Sequence, residues 1–210
     1  SLKSGDWYRF KVDTTGVHKL TSNFLRSLGV NTATINPKNI KIYGHGGKSL
    51  PLLNSDTQSY DMIENTIQVI GEDDFTFNDD DYILMYAIGP KKYNSDNNSH
   101  INPYSDDAFY YLNISSGNGS RMNLATEPNT AANVTFETFH DYKFVESDEY
   151  NIAKLGRRWF GHRFYVENTR EFNFDFPNII TSSPINLKVY VAATSESNTS
   201  MSLKLNGSEV

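Results

Sequence analysis

Large apolar side chains in this chain recur most often at every second position. Trp7-Tyr8-Arg9-Phe10-Lys11-Val12 alternates bulky and charged residues, as a strand does when one face meets a core and the other meets water. The same reasoning predicts strands over 40–43, 64–70, 82–87, 109–114 and 134–144. In the last of these, Val134, Phe136, His140, Tyr142 and Phe144 share a face, so His140 is expected to be a hydrogen-bonded core residue. Segments 64–70 and 82–87 form the clearest pair, joined by an acidic loop from Glu72-Asp73-Asp74 to Asp79-Asp80-Asp81. Further strands are expected over 159–166, 172–176, 187–193 and 201–205, punctuated by Pro177 and Pro184.

The period changes in two places. After a turn at Asp13-Thr14-Thr15-Gly16, Thr21 or Ser22 caps a short helix with Phe24, Leu25 and Leu28 on one face and Gly29 at its end. A second short helix is expected over 148–155, where the acids come first, Lys154 comes last and Gly156 follows. The polar stretch 91–107 has no periodicity and predicts a long loop, either functional or mobile. Asn206-Gly207 after Met201-Ser202-Leu203-Lys204-Leu205 predicts a type I′ hairpin turn with a returning strand, of which three residues follow. The chain also opens on Ser1 rather than Met, so it is expected to be a piece of a longer protein. The predicted fold is mainly β. It comprises a β-sandwich-like domain with one or two short helices over 1–145, then the start of a second, truncated β-sandwich-like unit over 146–210.

Composition narrows the function classes. The 210 residues can bury a substantial core without a staple, and 13 Tyr with 13 Phe suit pleated, half-buried surfaces. A net charge of -6 argues against binding nucleic acid or an anionic membrane. No apolar run is long enough to span a bilayer. With 0 Cys, the segment holds no disulfide, thiolate zinc site or cysteine nucleophile.

Motifs that invite chemistry fall short of it. Gly44-His45-Gly46-Gly47-Lys48-Ser49 ends like a phosphate loop, but Ile42 stands where the first Gly is needed and no helical pattern follows. Asp73, Asp74, Asp79 and Asp81 offer oxygens to calcium, without EF-hand spacing or the sharp-turn Gly. His18, His45, His100, His140 and His162 form no ligand pair. Sequons at Asn97, Asn113, Asn118, Asn133, Asn198 and Asn206 arise readily by chance in so Asn-rich a chain. Arg157-Arg158-Trp159-Phe160-Gly161-His162-Arg163-Phe164 interleaves cations and aromatics, a composition that stacks on bases or sugars or packs against another domain. No catalytic residue, cofactor or metal ligand is assigned within the segment.

A set of ordered blocks resembles a known family. They include Gly5-Asp6-Trp7-Tyr8, Val12-Asp13-Thr14-Thr15-Gly16-Val17-His18-Lys19-Leu20, Phe24 through Val30, and Asn36-Pro37. Ile40-Lys41-Ile42-Tyr43-Gly44-His45-Gly46-Gly47, Glu64-Asn65-Thr66-Ile67, Gly71-Glu72, Asp81 through Tyr86 and Gly89-Pro90 follow. Asp148 through Ala153 and Gly156-Arg157-Arg158-Trp159-Phe160-Gly161 complete the set. Their order is similar to the amino-terminal region of the PorU-type sortases of the type IX secretion system, especially the flavobacterial ones. His45 departs from the Asn expected there. The resemblance implies a parent with a downstream gingipain-like cysteine peptidase domain carrying a Cys-His pair. It implies export to the outer-membrane cell surface of a Gram-negative bacterium, where the parent removes sorting domains from cargo. The segment would be a non-catalytic accessory region. Its partners would be the downstream peptidase domain and other secretion components or cargo, with no nucleic acid and no membrane-spanning segment. Segments 91–107 and 157–164 are the expected contact regions. The alternative is a carbohydrate-binding or adhesin module in which Trp7, Tyr104 and Trp159 stack on sugars.

Overall fold

The computed structural model describes residues 5–51, 53–57, 59–95, 98–156 and 158–210. Asn97 of the first sequon and Arg157 of the cation–aromatic stripe lie outside the described residues. The strands are β1 (Asp6–Val12), β2 (Gly16–Thr21), β3 (Ile40–Tyr43), β4 (Glu64–Asn65), β5 (Gln68–Ile70) and β6 (Tyr82–Ala87). They continue as β7 (Lys91–Asn94), β8 (Ser99–Ile101), β9 (Ala108–Ile114), β10 (Lys204–Leu205) and β11 (Ser208–Glu209). One helix, α1 (Ser22–Ser27), and 3-10 turns at Thr32–Thr34, Pro37–Asn39 and Glu72–Asp74 complete the elements. The chain divides into two units, Ser1–Phe139 and His140–Val210.

The first unit is sandwich-like. One antiparallel sheet has the order β1-β9-β3-β4 and the other β2-β6-β5. β1 pairs with β9 from Asp6↔Ile114 to Val12↔Ala108. Strand alternation delivers Phe10, Val12, Ile40, Ile42, Tyr110 and Leu112 from one sheet and Leu20, Val69, Ile83, Met85 and Ala87 from the other into a single core. The turn after Val12 carries the chain from the first sheet to the second. β2 was not legible as a strand because Leu20 is its one buried apolar residue, while Val17 and Lys19 face out.

Both open sides of the sandwich are closed. On the β1/β2 side lies α1, capped by the Thr21 hydroxyl, which accepts a bond from Phe24 N at 3.3 Å. Leu25 is fully buried in the core, and Phe24 meets Phe10 edge-on with ring centroids 5.7 Å apart. On the β4/β5 side, buried Ile67 bridges in parallel to Arg121. Ile67 N donates to Ser120 O at 3.2 Å and Met122 N donates to Ile67 O at 2.9 Å. Residues 119–122 thus act as a strap along that edge.

Several expectations are corrected. Segment 91–107 is not structureless, since β7 and β8 pair antiparallel within it. Residues 134–144 form no strand and His140 is exposed, not a core residue. The expected helix over 148–155 is a series of turns and bends, with Tyr150 in a lone antiparallel bridge to Phe160. Of the later strands, only Lys204–Leu205 is formed, paired with Ser208–Glu209. Its turn residues Asn206 and Gly207 have φ of 49° and 85°, as the type I′ reading requires. Among the described residues, every member of the hydrophobic core lies between Phe10 and Leu112, so the second unit contributes none. The physical reason is general: alternation marks strand-forming residues, but a strand exists only where a neighbour takes its backbone groups and its apolar face.

Candidate docking surface

The glycine-rich turn after β3 is a packing junction. Gly47 N donates to Ile88 O at 2.9 Å, and the Tyr110 hydroxyl accepts from Ile88 N at 2.8 Å. Gly89 N donates to Thr15 Oγ1 at 3.1 Å, and Asn102 Nδ2 donates to Gly47 O at 3.0 Å. A Cβ on Gly47 would lie 2.5 Å from Gly89 O, and one on Gly89 would lie 2.7 Å from the Thr14 carbonyl carbon. Backbones touch here, which is why glycine is needed. Gly47 N–H is spent inside the protein, consistent with a turn rather than a phosphate loop. Burial pushes the Tyr110 hydroxyl pKa up, keeping it protonated.

The expected contact segment 91–107 is tied to this junction. Asn102 N donates to Pro90 O at 3.3 Å, and Lys11 Nζ lies 2.6 Å from Asp107 and 3.3 Å from Asp13. The Asp107 bond, then Asp13, raises the Lys11 pKa. At its tip, Tyr93 and His100 meet with ring centroids 5.1 Å apart. Removing the whole segment would therefore disturb the fold as well as any contact.

The strap is held by one guanidinium. Arg121 Nε donates to Glu72 Oε2 at 2.8 Å, Nη1 to Ile40 O at 3.1 Å, and Nη2 to Pro37 O at 2.9 Å and Lys38 O at 3.1 Å. Glu64 helps by accepting from Ser120 N at 2.6 Å. Nearby, the buried Lys41 ammonium has no carboxylate partner among the described residues. It donates to Ser115 O, Ser115 Oγ and Ser116 O at 3.3, 3.0 and 3.1 Å, which uses its three protons.

The acidic loop spends its carboxylates separately. Asp73 faces Lys38 at 3.5 Å, and Asp74 accepts from Thr76 N at 2.9 Å, a bond that lowers its pKa. Asp79 pairs with Arg26 at 2.8 Å, and that bond and charge lower its pKa. Buried Asp81 accepts from Asn78 N at 2.6 Å. Among the described residues, no three His, Asp or Glu side chains gather as a metal site.

The outer sheet faces differ. On the four-stranded sheet, β1 presents Trp7, Arg9 and Lys11, β9 presents Phe109, Tyr111 and Asn113, and β3 presents Lys41 and Tyr43. The Trp7 and Tyr43 ring centroids are 5.2 Å apart, although β9 separates their strands. Asn113, level with Trp7 on that face, is only 2% exposed, which closes its sequon to glycosylation in the folded chain. Arg9 Cζ sits 4.8 Å from the Phe109 ring centroid. Tyr43 donates to Glu64 Oε2 at 3.3 Å, and burial followed by the Glu64 charge raises its pKa. On the three-stranded sheet, cross-strand partners Val17 and Tyr86 are 72% and 55% exposed, and Lys19 Nζ lies 3.9 Å from the Tyr82 ring centroid.

In the second unit, Trp159 is 44% exposed and lines an open cleft of about 350 Å³ with Asn151 and Lys154. Arg163 Cζ lies 5.0 Å from the Tyr165 ring centroid, and His162 meets Phe172 at 5.2 Å. Of the residues expected to stack on sugars, Trp7 is half-buried in the first unit, Tyr104 is 79% exposed there, and Trp159 belongs to the second. The role of Arg121 was not legible in the sequence, because its partners lie 49 to 84 positions away.

No protein-family model matches the chain, and no curated protein does. Among solved structures it is similar to dimeric latent PorU from Porphyromonas gingivalis, at 26% identity and a TM-score of 0.41. That likeness covers 62% of this chain and 11% of that chain, so the matched stretch is a small part of a longer protein.

Proposed function

We propose that this chain is the non-catalytic N-terminal accessory region of a cell-surface, sortase-type cysteine peptidase that processes type IX secretion cargo. The observation that carries the reading is the long series of ordered blocks, from Gly5-Asp6-Trp7-Tyr8 to Gly156-Arg157-Arg158-Trp159-Phe160-Gly161. Three of those blocks, at Thr14–Gly16, Gly44–Gly47 and Gly89–Pro90, meet at the Tyr110 junction, so they encode a fold rather than a reaction centre. The segment has 0 Cys, and a Cys-His peptidase needs a thiolate nucleophile, so the chemistry belongs to another part of the parent. Its work is then packing, docking or positioning of cargo at the outer-membrane surface. Residues 146–210 are the start of a second β unit whose apolar faces are covered by further β structure of the parent. The exposed, alternating Leu187, Val189 and Val191 support this.

The test is the coding sequence adjoining this segment. A downstream gingipain-like domain with its His and Cys supports the reading. An adjoining frame that holds only more β repeats overturns it. In that case the second reading leads, a glycan-binding surface module, which is favoured by exposed Tyr104 and by Trp159 in its open cleft.

A further inference from the structure

Unit 1 has three described arginines, and two of them are saturated. Arg121 is held by Glu72 and backbone carbonyls, and Arg26 bonds Ser22, Asn23, Thr32 and Asp79. Arg9 differs. It is exposed, its guanidinium is braced over the Phe109 ring, and it makes no hydrogen bond or ion pair with any described residue. Directly opposite it in the β1–β9 register stands Tyr111, whose hydroxyl is likewise without a described partner. Lys11 and Lys41 on the same face are already engaged, by Asp107 and by Ser115 with Ser116. The outward positions of β1, β9 and β3 around this pair carry Trp7, Phe109 and Tyr43 and no aliphatic residue.

We propose that this face, centred on Arg9 and Tyr111, is a docking surface for a protein segment that presents one carboxylate among apolar or aromatic residues. A guanidinium held on a ring is a preorganised fork for a carboxylate, and the neighbouring hydroxyl adds a third donor. Trp, Tyr and Arg are the residue types that concentrate binding energy in protein interfaces, and here they share one sheet face. The chain's net charge of -6 repels an acidic run at a distance, so the contact is a single carboxylate in an apolar setting. The assignment rests on the docking role proposed above and locates it on this sheet face, not at 91–107 or 157–164.

The test uses the full chain carrying Trp159→Phe, which leaves Trp7 as its one tryptophan and reporter. It is titrated with a capped peptide holding one glutamate between two tyrosines, with the same peptide carrying glutamine, and with polyglucuronate. The expected result is a saturable change in Trp7 emission with the glutamate peptide and about tenfold weaker binding for the glutamine form. Arg9→Gln abolishes the response, Arg9→Lys weakens it, and Tyr111→Phe reduces it with the unfolding temperature unchanged. Equal response to both peptides, insensitivity to Tyr111→Phe, or saturation by polyglucuronate alone overturns the proposal. If Arg9→Gln does not fold, Tyr111→Phe and the peptide pair decide. A negative titration beside a downstream peptidase domain overturns this face and leaves the accessory reading standing.

Discussion

Replacing Arg121 by Met isolates what the strap is worth, because Met keeps the apolar stem and removes the guanidinium. The lost bonds are one charge-assisted contact to Glu72 at 2.8 Å and those to the carbonyls of Pro37, Lys38 and Ile40 at 2.9 to 3.1 Å. A hydrogen bond to a charged group contributes about 1.5–3 kcal/mol net, but these bonds share one side chain and water refills part of the site. Both ion-pair side chains are about one-fifth exposed, at 22% and 21%, so refilling is incomplete. We expect a net loss of about 3 kcal/mol. For a sandwich of this size that lowers the thermal midpoint by roughly 10 °C. The assay is thermal unfolding followed by circular dichroism, with hydrogen exchange read at individual amides. Ile67 N and Met122 N, whose bonds cross the strap, should lose protection first, while the β1–β9 amides keep theirs. A fall under about 3 °C, or unchanged protection at Ile67 and Met122, refutes the claim that this guanidinium closes the sandwich.

Gly47→Ala should collapse the junction, since its Cβ would meet only backbone atoms, at 2.5 Å from Gly89 O and 2.6 Å from Pro90 Cα. Urea unfolding should show a loss of about 3 kcal/mol or more. Leu25→Ala, in a fully buried position, should cost about 2–5 kcal/mol and raise exchange along α1. Asp79 gives the acid limb a defined contribution. Its native pKa is depressed by the Arg26 bond and charge, so its stabilisation is complete above the unfolded value, about 3.9, and lost as pH falls through the native value. Asp79→Asn should lower stability at neutral pH and flatten the pH dependence below about pH 4, as read from unfolding midpoints across that range.

β1, β3 and β9 of the first sheet were legible because each carries its own signal, whereas 64–70, read as one strand, is divided between the two sheets as β4 and β5. Phe10 and Val12 alternate with Arg9 and Lys11, and Tyr110 and Leu112 alternate with Tyr111 and Asn113. The cap at Thr21 and the buried Leu25 were equally local. What stayed hidden depends on distance along the chain. Arg121 reaches Pro37, Arg26 reaches Asp79, and Lys41 reaches Ser115. Nothing in Arg121's own neighbourhood distinguishes it from a surface cation. The second unit fails in the opposite direction. Leu187, Val189 and Val191 read as a strand at least as well as Ile40 and Ile42 do. They remain exposed because no paired neighbour receives them. His140 was misplaced for the same reason, since its apolar companions Phe136 and Tyr142 are themselves in solvent. Arg9 was visible only as the polar half of an alternation, and its lack of a hydrogen-bond partner among the described residues emerges beside Tyr111 in the register.

The pairing of β1 with β9 also sets an order of events. Asp6 lies opposite Ile114, so the first strand made waits for the last strand of the first unit. At a synthesis rate of about 5–20 residues per second, β1 waits roughly 5–20 s before β9 exists. During that interval α1 with its cap, the whole β2-β6-β5 sheet and the β3–β4 and β7–β8 pairs already have the partners they need. The four-stranded sheet, and with it the core between the two sheets, therefore closes late, with the strap at 119–122 arriving just after the strand that completes the sheet. The apolar faces of β1 and β3 thus stay open to chaperones until nearly all of the first unit has emerged.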